Sequence, residues 1–179
     1  MKAKNNIIVV FIAASLSLPA QAEIYAIAKA SYFTGLEDFD NEQSFGLVLG
    51  YQYNDRHAFE LEAQVNGFDS TEPGFEVDAD VFTYLLNYQN TFWQQGDWSA
   101  RLGAGIGWAQ PEFGTSAETR GSDNITIWQV GIGSDYQINN RFSATFDLRA
   151  QDFGKASEGD VSYDFGTPAV MSAGLRYNF

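Results

Sequence analysis

The chain has 179 residues with 23 acidic and 10 basic side chains, a formal net charge of −13, and no cysteine. This length favours one domain. The acidity excludes a nucleic-acid surface, which needs clustered Lys and Arg, and the lack of cysteine excludes disulfides, thiolate chemistry and Cys-ligated zinc. The single long apolar run, near the start, is too little for a helical membrane protein.

The first 22 residues have the pattern of a secretory signal peptide. Two lysines give a positive start, residues 7–18 are apolar but too short to span a bilayer as a helix, and residues 20–22 form a small-residue cleavage site. We therefore predict a signal peptide over residues 1–22 and one mature domain over residues 23–179. Removing the two positive charges makes the net charge −15. A short membrane anchor is the alternative interpretation.

From residue 23 onward, apolar and polar residues alternate with a period of two, which indicates β-strands. The pattern is clearest in residues 98–109, where even positions are apolar and odd positions are Ser, Arg or Gly up to residue 107. Each segment has about the 9–11 residues that a tilted strand needs to cross a membrane. The eight predicted strands cover residues 23–33, 44–53, 57–66, 81–92, 98–109, 125–137, 141–151 and 169–179.

The connections between these strands alternate between short and long. Short connections are rich in Asn, Asp and Gly, which suit tight hairpin turns. They are residues 54–56, 95–97 and 138–140, whereas the long connections are residues 34–43, 69–80, 110–124 and 152–168. Short turns on one side and long loops on the other are typical of outer-membrane barrels.

The composition of the two strand faces separates a membrane barrel from a soluble one. Glycines lie on the polar faces, at residues 103, 105 and 107 for example, where they would make room inside a narrow barrel. The apolar faces carry no ionisable residue, and aromatic residues gather near both ends of the strands. We therefore predict an all-β fold: an eight-stranded antiparallel up-and-down transmembrane β-barrel with a polar, filled interior.

The sequence ends in Leu175, Arg176, Tyr177, Asn178 and Phe179. This ending resembles the terminal signal of Gram-negative outer-membrane proteins, with Phe last and an aromatic residue third from the end. The eight-strand length resembles the small barrels of the OmpA transmembrane-domain and OmpX type. The resemblance implies that Leu175, Tyr177 and Phe179 are read by the barrel assembly machinery. It also implies a monomer in the Gram-negative outer membrane, in contact with its lipid and lipopolysaccharide.

Eight ionisable residues fall on inward-facing positions of the predicted strands. They are Lys29, Glu60, Glu62, Arg101, Asp135, Asp147, Arg149 and Arg176. Their four positive and four negative charges cancel, and buried charges must pair because an unpaired one is very costly. We predict an internal salt-bridge network in which Glu60 and Glu62 bind Arg101.

In the same network we expect Asp147 to lie beside Arg149 or Arg176. A network of this kind stabilises and specifies the barrel. The alternative interpretation is a narrow or gated ion path lined by these groups, which would make the protein a small channel.

The long connections hold sixteen acidic residues against two basic ones, and so carry a charge of −14. The densest group comprises Glu37, Asp38, Asp40 and Glu42. Clustered carboxylates can bind Ca²⁺ or Mg²⁺, although EF-hand spacing is missing here. We expect a solvated acidic surface that binds divalent cations weakly, bridging to lipopolysaccharide phosphates, or that contacts a cationic extracellular partner.

Catalysis finds little support in the residues. The one histidine, His57, follows the first short turn and should lie at the periplasmic end, away from lipid A. The carboxylates show no spacing that marks a catalytic pair. We predict no catalytic residues, no cofactor and a non-enzymatic surface protein for envelope integrity or adhesion. A narrow channel is the first alternative and a lipid-modifying enzyme the second.

Overall fold

The computed structural model describes residues 23–35, 43–72, 75–114, 119–121, 124–158 and 161–179. The predicted signal peptide, residues 1–22, lies outside the described residues. The predicted cation-binding group of Glu37, Asp38, Asp40 and Glu42 lies outside them as well. Among the described residues, none belongs to a helix long and apolar enough to cross a membrane.

The described chain forms strands that pair only in the antiparallel sense. In chain order they are β1 (Glu23–Thr34), β2 (Gln43–Asn54), β3 (His57–Glu72), β4 (Phe75–Gln95), β5 (Trp98–Gly114), β6 (Thr119–Gly121), β7 (Ile125–Gln137), β8 (Phe142–Asp152), β9 (Gly154–Glu158), β10 (Val161–Gly166) and β11 (Ala169–Asn178). The eight long strands correspond to the eight predicted ones.

These eight strands close into a barrel. Each long strand pairs with its neighbours in the order β1, β2, β3, β4, β5, β7, β8 and β11, and β11 pairs back onto β1. Closure leaves the long strands without an open edge, which is how barrels satisfy their backbone hydrogen bonds in lipid. The predicted eight-stranded up-and-down barrel is therefore confirmed.

The strand register sets the tilt of the strands and the width of the barrel. From Ser31, the pairing through β2, β3 and β4 reaches Pro111 of β5. The pairing through β11, β8 and β7 reaches Arg101 of the same strand. This offset of ten residues (111 against 101) corresponds to a tilt of about 40° and a backbone radius of about 8 Å, so that side chains fill the interior.

The two faces of the strands differ as the alternation predicts. Along β2, Ser44 and Val48 are 1% and 4% exposed, whereas Phe45 and Leu47 are each 68% exposed. The exposed large hydrophobic side chains are distributed over all eight long strands. Such a continuous apolar surface would be a liability in water, but it is what lipid contact requires.

Asparagine side chains organise two of the short turns. The Asn54 Oδ1 accepts hydrogen bonds from the backbone N–H groups of Arg56 and His57, at 2.9 and 3.0 Å. The Asn139 Oδ1 does the same for Arg141 and Phe142, at 2.9 and 3.0 Å. The third short turn contains Gly96 at a φ of 59°. The predicted turn chemistry is present in all three.

The long connections contain more strand than their composition indicates. The structure continues β3 to Glu72 and starts β4 at Phe75, within the connection predicted over residues 69–80. The short strand β6 lies in the connection predicted over residues 110–124, and β9 and β10 lie in the one predicted over residues 152–168. The predicted loop boundaries were wrong there, because continuing the ladder satisfies backbone groups whatever the polarity of the side chains.

Among the glycines that the structure describes, Gly107 lies closest to the backbone of a neighbouring strand. A Cβ at this position would overlap the backbone carbonyl oxygen of Tyr84 and come within 2.9 Å of the Leu85 Cα. Backbone atoms cannot move aside as the end of a flexible side chain can. Glycine at position 107 is therefore required by the packing of β5 against β4.

We expect Gly107→Ala to lower the free energy of unfolding by about 1–3 kcal/mol, the usual cost of overpacking. Urea titration of the protein in lipid vesicles measures this. Gly67→Ala is the matched control, because a Cβ on Gly67 would meet nothing closer than 4.0 Å. Equal stability of the two variants would contradict the packing argument.

Candidate functional site

The interior of the barrel is filled at the long-connection end by apolar side chains. Phe33 and Phe153 are fully buried there, with ring centroids 5.9 Å apart and planes inclined at 49°. The fully buried apolar residues at this end, called the apolar plug below, are Phe33, Val81, Ala109, Ile127, Phe153 and Val170. The fully buried polar side chains of Asn66 and Thr83 lie at the same level, because Asn66 pairs with Val81 and Thr83 pairs with Ala109.

Glu62 lies at the centre of the ion pairs in the middle of the barrel. Its Oε1 lies 2.5 Å from the Lys29 Nζ and 3.2 Å from the Arg149 Nη1. The Asn87 side-chain amide donates a hydrogen bond of 2.9 Å to the Glu62 Oε2. All of these side chains are buried. We call Lys29, Glu62 and Arg149 the central cluster.

Further polar groups surround Arg149. Its Nη1 donates to the Gln129 Oε1 at 3.0 Å, and its Nη2 donates to the Ser172 hydroxyl at 2.8 Å. The Gln129 amide in turn donates to the Asn87 Oδ1 at 2.7 Å. The guanidinium is thus held by groups on several strands, which fixes its position in the lumen.

Arg101 forms a second cluster nearer the short turns. Its Nη1 binds Asp135, and its Nη2 lies 2.6 Å from the Asp147 Oδ1. We call Arg101, Asp135 and Asp147 the lower cluster. Its charge of −1 offsets the +1 of the central cluster.

These pairs differ from the predicted ones. Arg101 binds Asp135 and Asp147 rather than Glu60 and Glu62. Asp147 therefore forms its ion pair with Arg101, and not with Arg149 or Arg176 as predicted. The register explains the difference. Arg101 pairs across β7 with Gly133, which pairs with Asp147. Because Gly133 has no side chain, Arg101 reaches Asp147 directly along the wall.

Glu60 takes its hydrogen bonds from neutral groups. The Tyr25 hydroxyl donates to its Oε1 at 2.7 Å, and the Gln89 amide donates to its Oε2 at 2.9 Å. The guanidinium of Arg176 lies 3.6 Å from the centre of the Tyr25 ring, and the ring fills the space above Gly50. Glu60 and Arg176, the two predicted charges outside the clusters, are therefore linked through Tyr25.

Cavity volumes show how tightly the interior is filled. An open vestibule of about 330 Å³ lies at the short-turn end, lined among others by Gln52, Asp135 and Arg176. Two internal cavities beside the clusters measure about 10 Å³ each. That volume holds about one water molecule, so the side chains around the two clusters are closely packed.

The three residues of the predicted assembly signal lie at the short-turn end. Phe179 is 77% exposed, Leu175 is also exposed, and the Tyr177 ring contacts Phe179 at 5.1 Å and Phe142 at 5.2 Å. The backbone N–H of Phe179 donates to the Ile24 carbonyl at 3.1 Å. The terminal residue therefore joins the seam between β11 and β1.

His57 lies at the same end. Its Nδ1 is 2.6 Å from the Tyr88 hydroxyl and 3.2 Å from the Asn90 amide nitrogen. No group of three or more metal-ligating side chains stands close enough to hold a metal ion in the described part of the chain.

Two features of the interior were missed in the sequence. Tyr25 shares the inward face of the first strand with Lys29, and the alternation of the strand at residues 141–151 continues to Phe153. Both positions follow from the period of two, so the signal was available. The alternation was not applied to these two residues because aromatic side chains were expected on the lipid face.

Comparison with known sequences now identifies the family. The sequence model of the outer membrane protein beta-barrel domain family matches residues 7–179. The chain belongs to this family. Its place is therefore the bacterial outer membrane, and its short turns face the periplasm. A search of curated proteins finds no match.

Solved structures show the same fold. Neisserial surface protein A is 16% identical over 88% of this chain and 97% of its own, with a TM-score of 0.70. The N-terminal β-barrel domain of Pseudomonas aeruginosa OprF is 17% identical over 89% and 98%, with a TM-score of 0.60. Ail of Yersinia pestis, solved with the heparin analogue sucrose octasulfate, is 16% identical over 89% and 99%, with a TM-score of 0.57.

We expect Glu62→Gln to lower the free energy of unfolding by about 3–5 kcal/mol, because it leaves Lys29 and Arg149 buried without this carboxylate. The measurement is a urea titration in lipid vesicles in which tryptophan fluorescence reports unfolding. Asp135→Asn is the matched control. It removes one carboxylate from Arg101 but leaves Asp147 in place, so we expect a smaller loss of about 1–3 kcal/mol. A Glu62→Gln loss no larger than that of the control would contradict the assignment.

Proposed function

We propose that this protein is a non-enzymatic outer-membrane barrel with a closed interior, whose acidic extracellular connections contact cations or a cationic partner. The observation that carries the proposal is the filling of the lumen. The apolar plug, the central cluster and the lower cluster follow one another along the axis. With the interior occupied by packing and ion pairs, the extracellular connections are left as the surface for recognition.

A closed lumen has an energetic basis. Passage of an ion would require the buried pair of Glu62 and Lys29 or that of Arg101 and Asp147 to separate. Breaking a buried ion pair costs about 3–5 kcal/mol. Above these pairs, the fully buried side chains of the apolar plug, together with those of Asn66 and Thr83, fill the interior. Both features disfavour the channel alternative.

The charge of the protein is concentrated on the outer side. The long connections carry −14 of the net charge, and the interior set sums to zero. Asp80 and Glu112, at the bases of these connections, are exposed. The sulfated ligand in the Ail structure is a polyanion, which this surface would repel. We therefore propose a cationic partner, namely divalent cations that bridge to lipopolysaccharide phosphates.

The position of the single histidine supports the non-enzymatic part of the proposal. His57 lies at the periplasmic end and its Nδ1 contacts Tyr88 and Asn90. Chemistry on lipid A or on external peptides requires groups at the opposite end.

In planar lipid bilayers we expect the folded protein to show no discrete conductance steps, because the interior is closed at mid-height. A general porin incorporated under the same conditions is the positive control. Discrete steps from the wild-type protein would overturn the closed-barrel proposal and would favour the narrow channel.

Calorimetric titration with Ca²⁺ tests the proposed role of the connections. We expect measurable heat with the wild-type protein, and less heat after Glu37, Asp38, Asp40 and Glu42 are replaced by Gln or Asn. The matched control replaces Asp55 and Asp97, which lie in the periplasmic turns, and should leave the heat unchanged. Equal heats from the wild-type and the loop variant would remove this group as the binding site.

A further inference from the structure

The lipid-facing side of β2, β3 and β4 carries two open hollows, of about 600 and 320 Å³. Each is lined by a row of outward side chains that pair across the three strands. The two rows are Leu47, Ala63 and Tyr84 in the larger hollow, and Leu49, Leu61 and Leu86 in the smaller one. Because the rows are two residues apart on every strand, the hollows follow one another. Together they are called the lipid-facing groove below.

The length of the groove matches one leaflet of a bilayer. Along β3 its lining runs from Phe59 to Val65. These six steps (65 against 59) correspond to about 20 Å along a strand and, at a tilt of about 40°, to about 15 Å of membrane depth. The hydrocarbon core is about 30 Å thick, so the groove is as deep as a single leaflet. Phe59 lies two residues after His57, where the short turn ends, so that leaflet is the periplasmic one.

The periplasmic end of the groove meets a group of polar side chains on the same face. His57 and Asn90 pair directly, two residues below Phe59 and Tyr88, and the rings of Phe59 and Tyr88 lie 5.5 Å apart. The His57 Nδ1 is 2.6 Å from the Tyr88 hydroxyl and 3.2 Å from the Asn90 amide nitrogen. Since an amide nitrogen can only donate, Nδ1 accepts and the neutral imidazole carries its proton on Nε2. Among the described residues that Nε2–H has no acceptor.

Arg56 adds a positive charge beside this group. Its side chain is exposed, and no carboxylate within the described ranges forms an ion pair with it. The neighbouring Asp55 lines the vestibule of the lumen instead. The turn itself is fixed, because the Arg56 N–H donates to the Asn54 Oδ1 at 2.9 Å and the Arg56 carbonyl accepts from the Thr91 N–H at 2.7 Å. An unpaired guanidinium is thus held at the level of the phospholipid phosphates.

We propose that the lipid-facing groove binds one anionic phospholipid of the periplasmic leaflet. One acyl chain lies along β3 between the side chains of β2 and β4. The phosphate accepts hydrogen bonds from the Arg56 guanidinium and from the His57 Nε2–H. Hydrogen bonds between a guanidinium and a phosphate are charge-assisted and therefore stronger than neutral ones. The groove and the cation recognise two parts of the same molecule, which gives the single histidine of the chain a role.

Depth and charge favour this occupant over the other components of an outer membrane. Lipopolysaccharide occupies the outer leaflet, at the end of the barrel opposite Arg56, where the connections are acidic. A second copy of the chain could place apolar side chains in the groove but would bring no phosphate to Arg56. A zwitterionic phospholipid fits the groove, but its ammonium is repelled by the guanidinium. A phospholipid with a net negative charge satisfies both features.

Native mass spectrometry of the full barrel, released from nanodiscs of mixed phosphatidylglycerol and phosphatidylethanolamine, tests the proposal. We expect the wild-type barrel to retain one phosphatidylglycerol molecule. Arg56→Gln should lower this retention about fivefold, the equivalent of about 1 kcal/mol for a partly exposed charge contact. Arg141→Gln is the matched control, because Arg141 is exposed in the turn between β7 and β8, away from the groove. It should retain the lipid as the wild type does.

Substitution of Ala63 tests the apolar part of the site. Ala63 lies between the larger side chains of Leu47 and Tyr84, so Ala63→Phe fills the floor of the groove and should also lower the retention. The matched control is Ala173→Phe, at an exposed position of β11 that lines neither hollow. All four variants change exposed positions, and heat-modifiable gel mobility confirms that each one folds.

Several results would overturn the proposal. Wild-type retention by Arg56→Gln would remove the phosphate contact, and wild-type retention by Ala63→Phe would remove the groove. Equal retention of phosphatidylethanolamine would remove the selection for charge, and a mass of two chains without lipid would identify a second copy as the occupant.

A measurement on the wild-type protein needs no variant. A phosphatidylglycerol with a photoreactive acyl chain should label peptides of β3 in preference to those of β7. Even labelling of the two strands would contradict the proposal. These readouts are independent of conductance and of Ca²⁺ binding.

Discussion

The need to neutralise charge inside a barrel about 8 Å in radius governs this structure. Eight strands with an offset of ten residues leave an interior that side chains fill. Each charge placed there loses its water and must find a partner in the lumen. The central cluster shows how this is achieved: Glu62 on β3 meets Lys29 from β1 and Arg149 from β8. Closure of the barrel points the inward side chains of these three strands at a shared lumen, where they meet.

The glycines of the wall follow from the same constraint. Long side chains need space, and the inward face supplies it where a neighbouring residue has no side chain. Gly133 lets Arg101 reach Asp147, and Gly50 lets the Tyr25 ring lie flat beneath Arg176. The loss of β-propensity at these positions is offset by the ion pairs and ring contacts that they permit.

Much of the barrel could be predicted from the alternation alone, because a period of two assigns each residue to one face. The eight strands and the set of inward charges are examples. The partners within that set could not be predicted, because they depend on the shear. A register shift of one residue would turn Arg101 to the lipid face, and a shift of two residues would keep it inward but move it away from Asp147. The extension of the third strand beyond residue 66 was missed because backbone pairing, rather than side-chain pattern, determines it.

The residues that stabilise the interior are separate from the acidic residues of the long connections. The clusters and the plug stabilise the barrel through residues that point inward, and none of these residues belongs to the acidic set of the long connections. Changes of charge in the connections therefore leave the packing of the lumen intact. Stability rests on the inward-facing residues, so the recognition proposed for the long connections would rest on separate residues.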